Sequence, residues 1–181
     1  MSKSLKTLQT LSKIGKVVSN IIFIFSMIGA IISVISVTTM ASMQKLEIEG
    51  QTVVDAVEST GTNFVTMVFL FIAIGITCTA IAVLSKLAVN YFTNELDDGT
   101  PFTYAGAKEL LRLGILSIAI PAATSTVIGI AFIITKYFWP ALSDEIMIGE
   151  PVSISFGIML IIMSLVFKHG AELEEKLKID L

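Results

Sequence analysis

Residues 17–40 read VVSNIIFIFSMIGAIISVISVTTM, 24 positions without a single charge. Coiled as an α-helix at 1.5 Å per residue, this stretch reaches about 36 Å, enough to cross a hydrocarbon core ~30 Å thick with some tilt. The pattern recurs. Residues 64–85 give 22 uncharged positions, residues 113–135 give 23, and residues 152–167 give 16. The fourth stretch spans only if Lys168 stretches its stem toward the headgroups and the bilayer thins slightly; a re-entrant or interfacial helix is the alternative there. Lys3, Lys6, Lys13 and Lys16 ahead of the first stretch imitate a signal peptide. The apolar run is longer than the roughly 7–15 residues of a signal core, and Thr39-Met40-Ala41 is a poor cleavage site, so a retained helix is expected.

Composition points the same way. Of 181 residues, 54% are hydrophobic and 15% charged, with a mean hydropathy of +0.87. A soluble domain carries about 25% charged residues, and this chain has too few to coat a water-facing surface. The net charge of −3 argues against direct nucleic-acid binding, which calls for a basic face. Cys78 is the sole cysteine, which rules out an intrachain disulfide. With His169 as its only soft companion, no structural zinc site can be assembled.

Lysine and arginine set the expected orientation. Four precede the first span (Lys3, Lys6, Lys13, Lys16), three lie between the second and third (Lys86, Lys108, Arg112), and three follow the fourth (Lys168, Lys176, Lys178). Lys45 and Lys136 are alone in the intervening loops, so alternate segments hold ten and two. The positive-inside rule then puts both termini and the middle loop in the cytoplasm. Tyr137, Phe138 and Trp139 form the expected aromatic belt at the outer end of the third span.

The expected fold class is all-α, an integral membrane four-helix bundle with short cytoplasmic helical extensions, forming one domain over residues 1–181. Leu87, Ala88, Tyr91, Phe92 and Leu96 recur at helical spacing beyond the second span. Asp97-Asp98-Gly99 stops that helix, with Gly99 suited to a left-handed cap. Thr100-Pro101 restarts the chain, threonine as a cap and proline in a first turn. Residues 86–112 thus read as a cytoplasmic hairpin. Lys168-His169-Gly170 is expected to break the apolar run before a short helix over residues 171–178, where Glu172/Lys176 and Glu174/Lys178 are favourable pairs. The outer loop 41–63 mixes a strand-like Leu46-Glu47-Ile48-Glu49 with helix-like Val53, Val54 and Val57, and the choice stays open. The outer loops, 41–63 and 136–151, also gather the acids Glu47, Glu49, Asp55, Glu58, Asp144, Glu145 and Glu150, a solvated face or an attraction for a cationic partner.

The spans hold no ionisable residue, whereas ion and proton pathways normally keep some facing inward. Pro121 is a packed kink or, in a transporter, a helix break. Ser26/Ala30, Gly29/Ser33, Gly75/Thr79, Ser125/Gly129 and Ser153/Gly157 are small residues four apart, which let helices approach closely and let hydroxyls bond across. They serve an intramolecular bundle, with a homo-oligomer face or a partner's groove as the alternative. No catalytic residues, cofactor or metal site are expected: His169 lies at a membrane boundary, and Asp97 and Asp98 make a turn.

Two stretches carry a resemblance to a known family. They are Asp98-Gly99-Thr100-Pro101-Phe102-Thr103 with Leu110, Leu111, Arg112 and Leu113, and Val166-Phe167-Lys168-His169-Gly170-Ala171-Glu172-Leu173. In these the chain resembles four-span bacterial membrane proteins of domain of unknown function 2975. The four-helix layout covers the whole chain and the motifs about twenty residues of it. The resemblance implies no enzyme activity. It implies membrane-linked regulation in company with small helix-turn-helix regulators.

The expected function is that of a non-enzymatic, multi-pass protein of the cell membrane acting through a protein partner, as a regulatory or accessory component. Its candidate cytoplasmic surface is Asp98, Gly99, Pro101, Phe102, Arg112, His169, Gly170 and Glu172, although Gly99 and Gly170 also read as helix ends and Phe102 as a plug at the base of the bundle. An immunity-type protein guarding the membrane against a toxin or bacteriocin is one alternative; a small transporter or channel is another.

Overall fold

The computed structural model describes residues 3–43, 47–48, 51–52, 63–98, 102–140, 142 and 154–179. The described chain is helical apart from one minimal hairpin. Helix α1 (Lys3–Met43) is followed by strands β1 (Glu47–Ile48) and β2 (Gln51–Thr52), then α2 (Phe64–Asp98), α3 (Tyr104–Phe138) and α4 (Ile154–Ile179). The strands pair antiparallel, Glu47 with Thr52 and Ile48 with Gln51. The strand-like half of the outer loop is therefore a strand at Glu47 and Ile48, and the stretch holding Val53, Val54 and Val57 lies outside the described residues.

All four helices are long and apolar enough to cross a membrane, which supports a multi-pass membrane protein. Side-chain placement supports it independently. On α1, the buried positions include Ser26 and Ser33, the latter 3% exposed, while Phe25 is 70% exposed and Ile28, Ile31, Ile32 and Ile35 face outward with it. Small hydroxyls lie inside and branched aliphatics outside, the reverse of the order that water imposes. A contiguous apolar exterior on this scale exceeds what soluble monomers tolerate.

The chain forms two compact units. The first comprises Met1–Ile24, Ile81–Ala122 and Glu150–Leu181, and the second Phe25–Ala80 and Ala123–Gly149. In the second unit, Phe69, Ile128 and Leu142 make the core, with Phe132 edge-on to Phe69 at 5.8 Å between ring centres. Here α1 and α2 meet through small residues: a Cβ built on Gly29 would stand 2.9 Å from the Cys78 sulfur, and one on Gly75 would stand 3.1 Å from the Ser33 Cβ. Gly129 meets nothing within 4 Å, so Ser125/Gly129 is not a close-packing pair. In two of these pairs the hydroxyl does not reach across. Ser33 donates to the Gly29 carbonyl and Thr79 to the Gly75 carbonyl, one turn back in the same helix. The acceptor four residues back is already within reach, so the hydroxyl is satisfied without a neighbour.

In the first unit, Tyr91, Leu110 and Leu160 form the core with Phe92, Leu113 and Phe167 around them. α3 and α4 approach closely enough for backbone to meet backbone, with the Ile118 and Ile161 side chains packed over the two glycines. A Cβ on Gly114 would lie 3.1 Å from the Gly157 carbonyl oxygen, and one on Gly157 would lie 3.0 Å from that of Gly114. One glycine from α3 and one from α4 thus make a reciprocal contact that spacing within a single helix does not reveal. On the other side, Gly15 of α1 leaves room for the Phe92 ring.

Neither the helix break that a transporter would place at Pro121 nor the expected break at Lys168-His169-Gly170 is present. α3 passes through Pro121 as continuous helix, so no broken helix of the transporter kind is present there. α4 runs unbroken through Lys168, His169 and Gly170 to Ile179; Gly170 does not end a helix. Its role is steric: the Phe102 ring occupies the space that a side chain there would need.

Candidate functional site

The site is built where α2 ends and α3 begins. α2 continues as helix through Lys86 to Asp98, and α3 starts at Tyr104. Thr103 is the cap. Its Oγ1 accepts from the Gly106 amide at 2.9 Å, and its carbonyl accepts from the Ala107 amide at 2.9 Å. This corrects the expected restart at Thr100-Pro101: the helix starts at Tyr104, and it is the Thr103 oxygen that stands within capping reach of its first amides. The Thr103 hydroxyl also donates to Asp98 Oδ2 at 3.3 Å, tying the end of α2 to the start of α3. Gly99 and Pro101 lie outside the described residues.

Phe102, just ahead of that cap, packs edge-on to Phe167 of α4 at 5.4 Å. A Cβ on Gly170 would come within 2.7 Å of the Phe102 ring. The glycine is there because the ring occupies its side-chain space. The two stretches that carry the family resemblance therefore touch, through Phe102, Phe167 and Gly170. Phe102 keeps 38% of its surface exposed, so it is seated against α4 without being enclosed. Tyr104 donates to Glu175 Oε2 at 3.2 Å, a second tie to α4.

The other candidate residues do not all join this contact. His169 Nδ1 stands 3.7 Å from Glu172 Oε2, one turn on in the same helix, and its side chain is 74% exposed. The expected Glu174/Lys178 pair involves side chains outside the described set. Arg112 belongs to a different neighbourhood, a cavity of about 330 Å³ lined from α2 by Leu87, Asn90 and Asn94 and from α3 by Glu109, Arg112 and Leu116, among others. Asn94 Nδ2 donates to Glu109 Oε1 at 2.8 Å, while Glu109 Oε2 is buried and has no hydrogen-bond partner. Nearby, Ser12 of α1 donates to Glu95 Oε1 at 2.8 Å.

Sequence reasoning missed Ser12, Glu95, Asn94, Glu109, Tyr104 and Glu175. A signal was present: Asn90 with Asn94 and Glu109 with Arg112 lie four and three apart, so each pair shares a helix face, just where two apolar runs end. What could not be read was that the two faces oppose each other. Among the described residues no group of His, Cys, Asp or Glu gathers to hold a metal ion.

No family model, curated protein or solved structure matches this chain.

The site's chemistry is thus that of a fixed surface with an adjoining polar hollow. Side-chain bonds link α1 to α2, α2 to α3 and α3 to α4 within the first unit. Around them lie exposed Phe102, Tyr104, Lys108, Arg112 and His169.

Proposed function

We propose that this chain is a non-enzymatic, multi-pass protein of the cell membrane, with both termini cytoplasmic, that works by binding another protein as a regulatory or accessory component. One observation carries the reading: the helix ends of the first unit are cross-linked by Ser12–Glu95, Asn94–Glu109 and Tyr104–Glu175 and present exposed aromatic and cationic side chains. Pre-ordered aromatic and arginine side chains are what protein interfaces use most, because they bury much area at little entropic cost. The lysine-rich segments support the cytoplasmic placement of that end. The resemblance to the four-span family, carried by the Phe102 and Gly170 stretches, supports a regulatory role, and we extend membership of that family to the chain as part of the same proposal.

The test is affinity capture of the full chain in mild detergent from its native cells, with wild type compared against Tyr104→Ala and His169→Ala. A partner held by the wild type and lost in variants that keep the wild-type thermal midpoint supports the proposal. Capture of the same proteins by all three chains counts against it.

A further inference from the structure

Glu109 carries one carboxylate oxygen that the cross-links between the helices leave unused. Its Oε1 is bound by Asn94, but Oε2 is sealed from water and has no hydrogen-bond partner. A carboxylate oxygen in that position forfeits its hydration with no bond in return, and such an orphan asks for a donor that the described residues do not supply. The obvious internal donor is Arg112, three residues on along the same helix face. Among the described residues, however, no ion pair joins the two. The cavity of about 330 Å³ therefore has a carboxylate and an exposed guanidinium in its wall, about 5–6 Å apart at their Cβ atoms as i,i+3 neighbours. Neither charge neutralises the other.

The wall is also graded. Asn90, Asn94, Glu109 and Arg112 are polar, while Leu87, Leu113 and Leu116 are apolar, Leu87 just past the second uncharged stretch and the other two at the start of the third. A more open hollow of about 640 Å³ shares Glu109, Arg112 and Leu116 and adds Ile115, which is 50% exposed. Opposite charges a short distance apart, beside an apolar strip at the edge of a span, match a zwitterionic amphiphile.

We infer that this cavity binds a phosphoethanolamine group, its ammonium donating to Glu109 and its phosphate accepting from Arg112. The inference rests on the chain being a membrane protein. A primary ammonium brings three N–H donors, as lysine does. A turn of the Glu109 side chain presents the orphan oxygen to them. The guanidinium fork is the ordinary partner of a phosphate. A quaternary choline ammonium has no N–H and leaves Glu109 unsatisfied, so the site discriminates between two headgroups of equal net charge.

The experiment reconstitutes the full chain in nanodiscs containing equal phosphatidylethanolamine and phosphatidylcholine, then counts retained lipids by native mass spectrometry. A chain that fails to enter nanodiscs overturns the membrane reading itself, an outcome distinct from the failure of this site. Wild type is expected to retain phosphatidylethanolamine over phosphatidylcholine by about tenfold, the scale of one hydrogen bond to a charged group. Glu109→Gln is expected to erase most of that preference, and Arg112→Gln to lower retention of both lipids, since both carry the phosphate, whereas His169→Ala changes neither. A second arm titrates soluble glycerophosphoethanolamine onto protein in pure phosphatidylcholine nanodiscs. Binding there assigns the group to a free solute, and lipid retention without it assigns the group to the bilayer. Equal retention of the two lipids by wild type, together with no binding of the soluble compound, overturns the inference whatever the variants do.

Discussion

At the residue scale, glycine does three different jobs here, and substitution separates them. A Cβ on Gly114 or Gly157 would stand 3.1 or 3.0 Å from the other's carbonyl oxygen, with the Ile161 and Ile118 side chains nearer still. Backbone cannot rotate away as a side chain can, so Gly114→Val or Gly157→Val must push α3 and α4 apart. Overpacking of this kind costs about 1–3 kcal/mol, and a lowered thermal midpoint in detergent is the expected reading. Gly170 faces only the Phe102 ring, so Gly170→Ala should cost less, and Gly170→Ala with Phe102→Ala should recover most of the loss. Gly129 has open space around it. Gly129→Ala should leave the midpoint unchanged or raise it, since alanine is the better helix former by about 1 kcal/mol. Equal destabilisation at Gly114 and Gly129 would refute the packing account.

The element scale concerns where helices start and stop. Sequence signals located the turn between α2 and α3 within residues 97–103, because Asp97-Asp98-Gly99 and Pro101 cannot all continue a helix. They chose the wrong threonine as the cap. Thr100 and Thr103 are both competent N-cap residues, and only the fold decides whose oxygen meets an amide. Thr103→Val should therefore cost about 0.5–2 kcal/mol and speed hydrogen exchange at Gly106 and Ala107, while Thr100→Val leaves those amides as protected as before. At α4 the signals misled for another reason. Lys168-His169-Gly170 reads as punctuation, yet glycine is tolerated within a helix where a neighbouring ring needs the room. Packing against Phe102 outweighs the propensity cost of about 1 kcal/mol.

At the scale of the whole molecule, the outward-facing aliphatics and inward-facing serines make a prediction about solvent. The protein should be monodisperse only in detergent or lipid, and should aggregate in plain buffer as measured by light scattering. The proposed orientation adds another. In a background of Cys78→Ser, Thr7→Cys and Lys176→Cys should be labelled by a membrane-impermeant maleimide from the same side of sealed vesicles, and Glu47→Cys from the opposite side. Labelling of Thr7→Cys and Lys176→Cys from different sides would refute the topology.

The sequence alone determined that four long apolar helices form, because period, length and absence of charge are local properties that need no knowledge of neighbours. It also grouped Phe102 and Gly170 as candidates for one surface, and the two residues do touch. Tertiary structure alone decided that Gly114 meets Gly157, that Phe102 fills the space above Gly170, and that Asn94 reaches Glu109 and leaves one carboxylate oxygen without a donor. Those contacts join residues far apart or on different helices. Which faces oppose is set by the rotation and crossing of whole helices, and residue spacing along one helix carries no record of it.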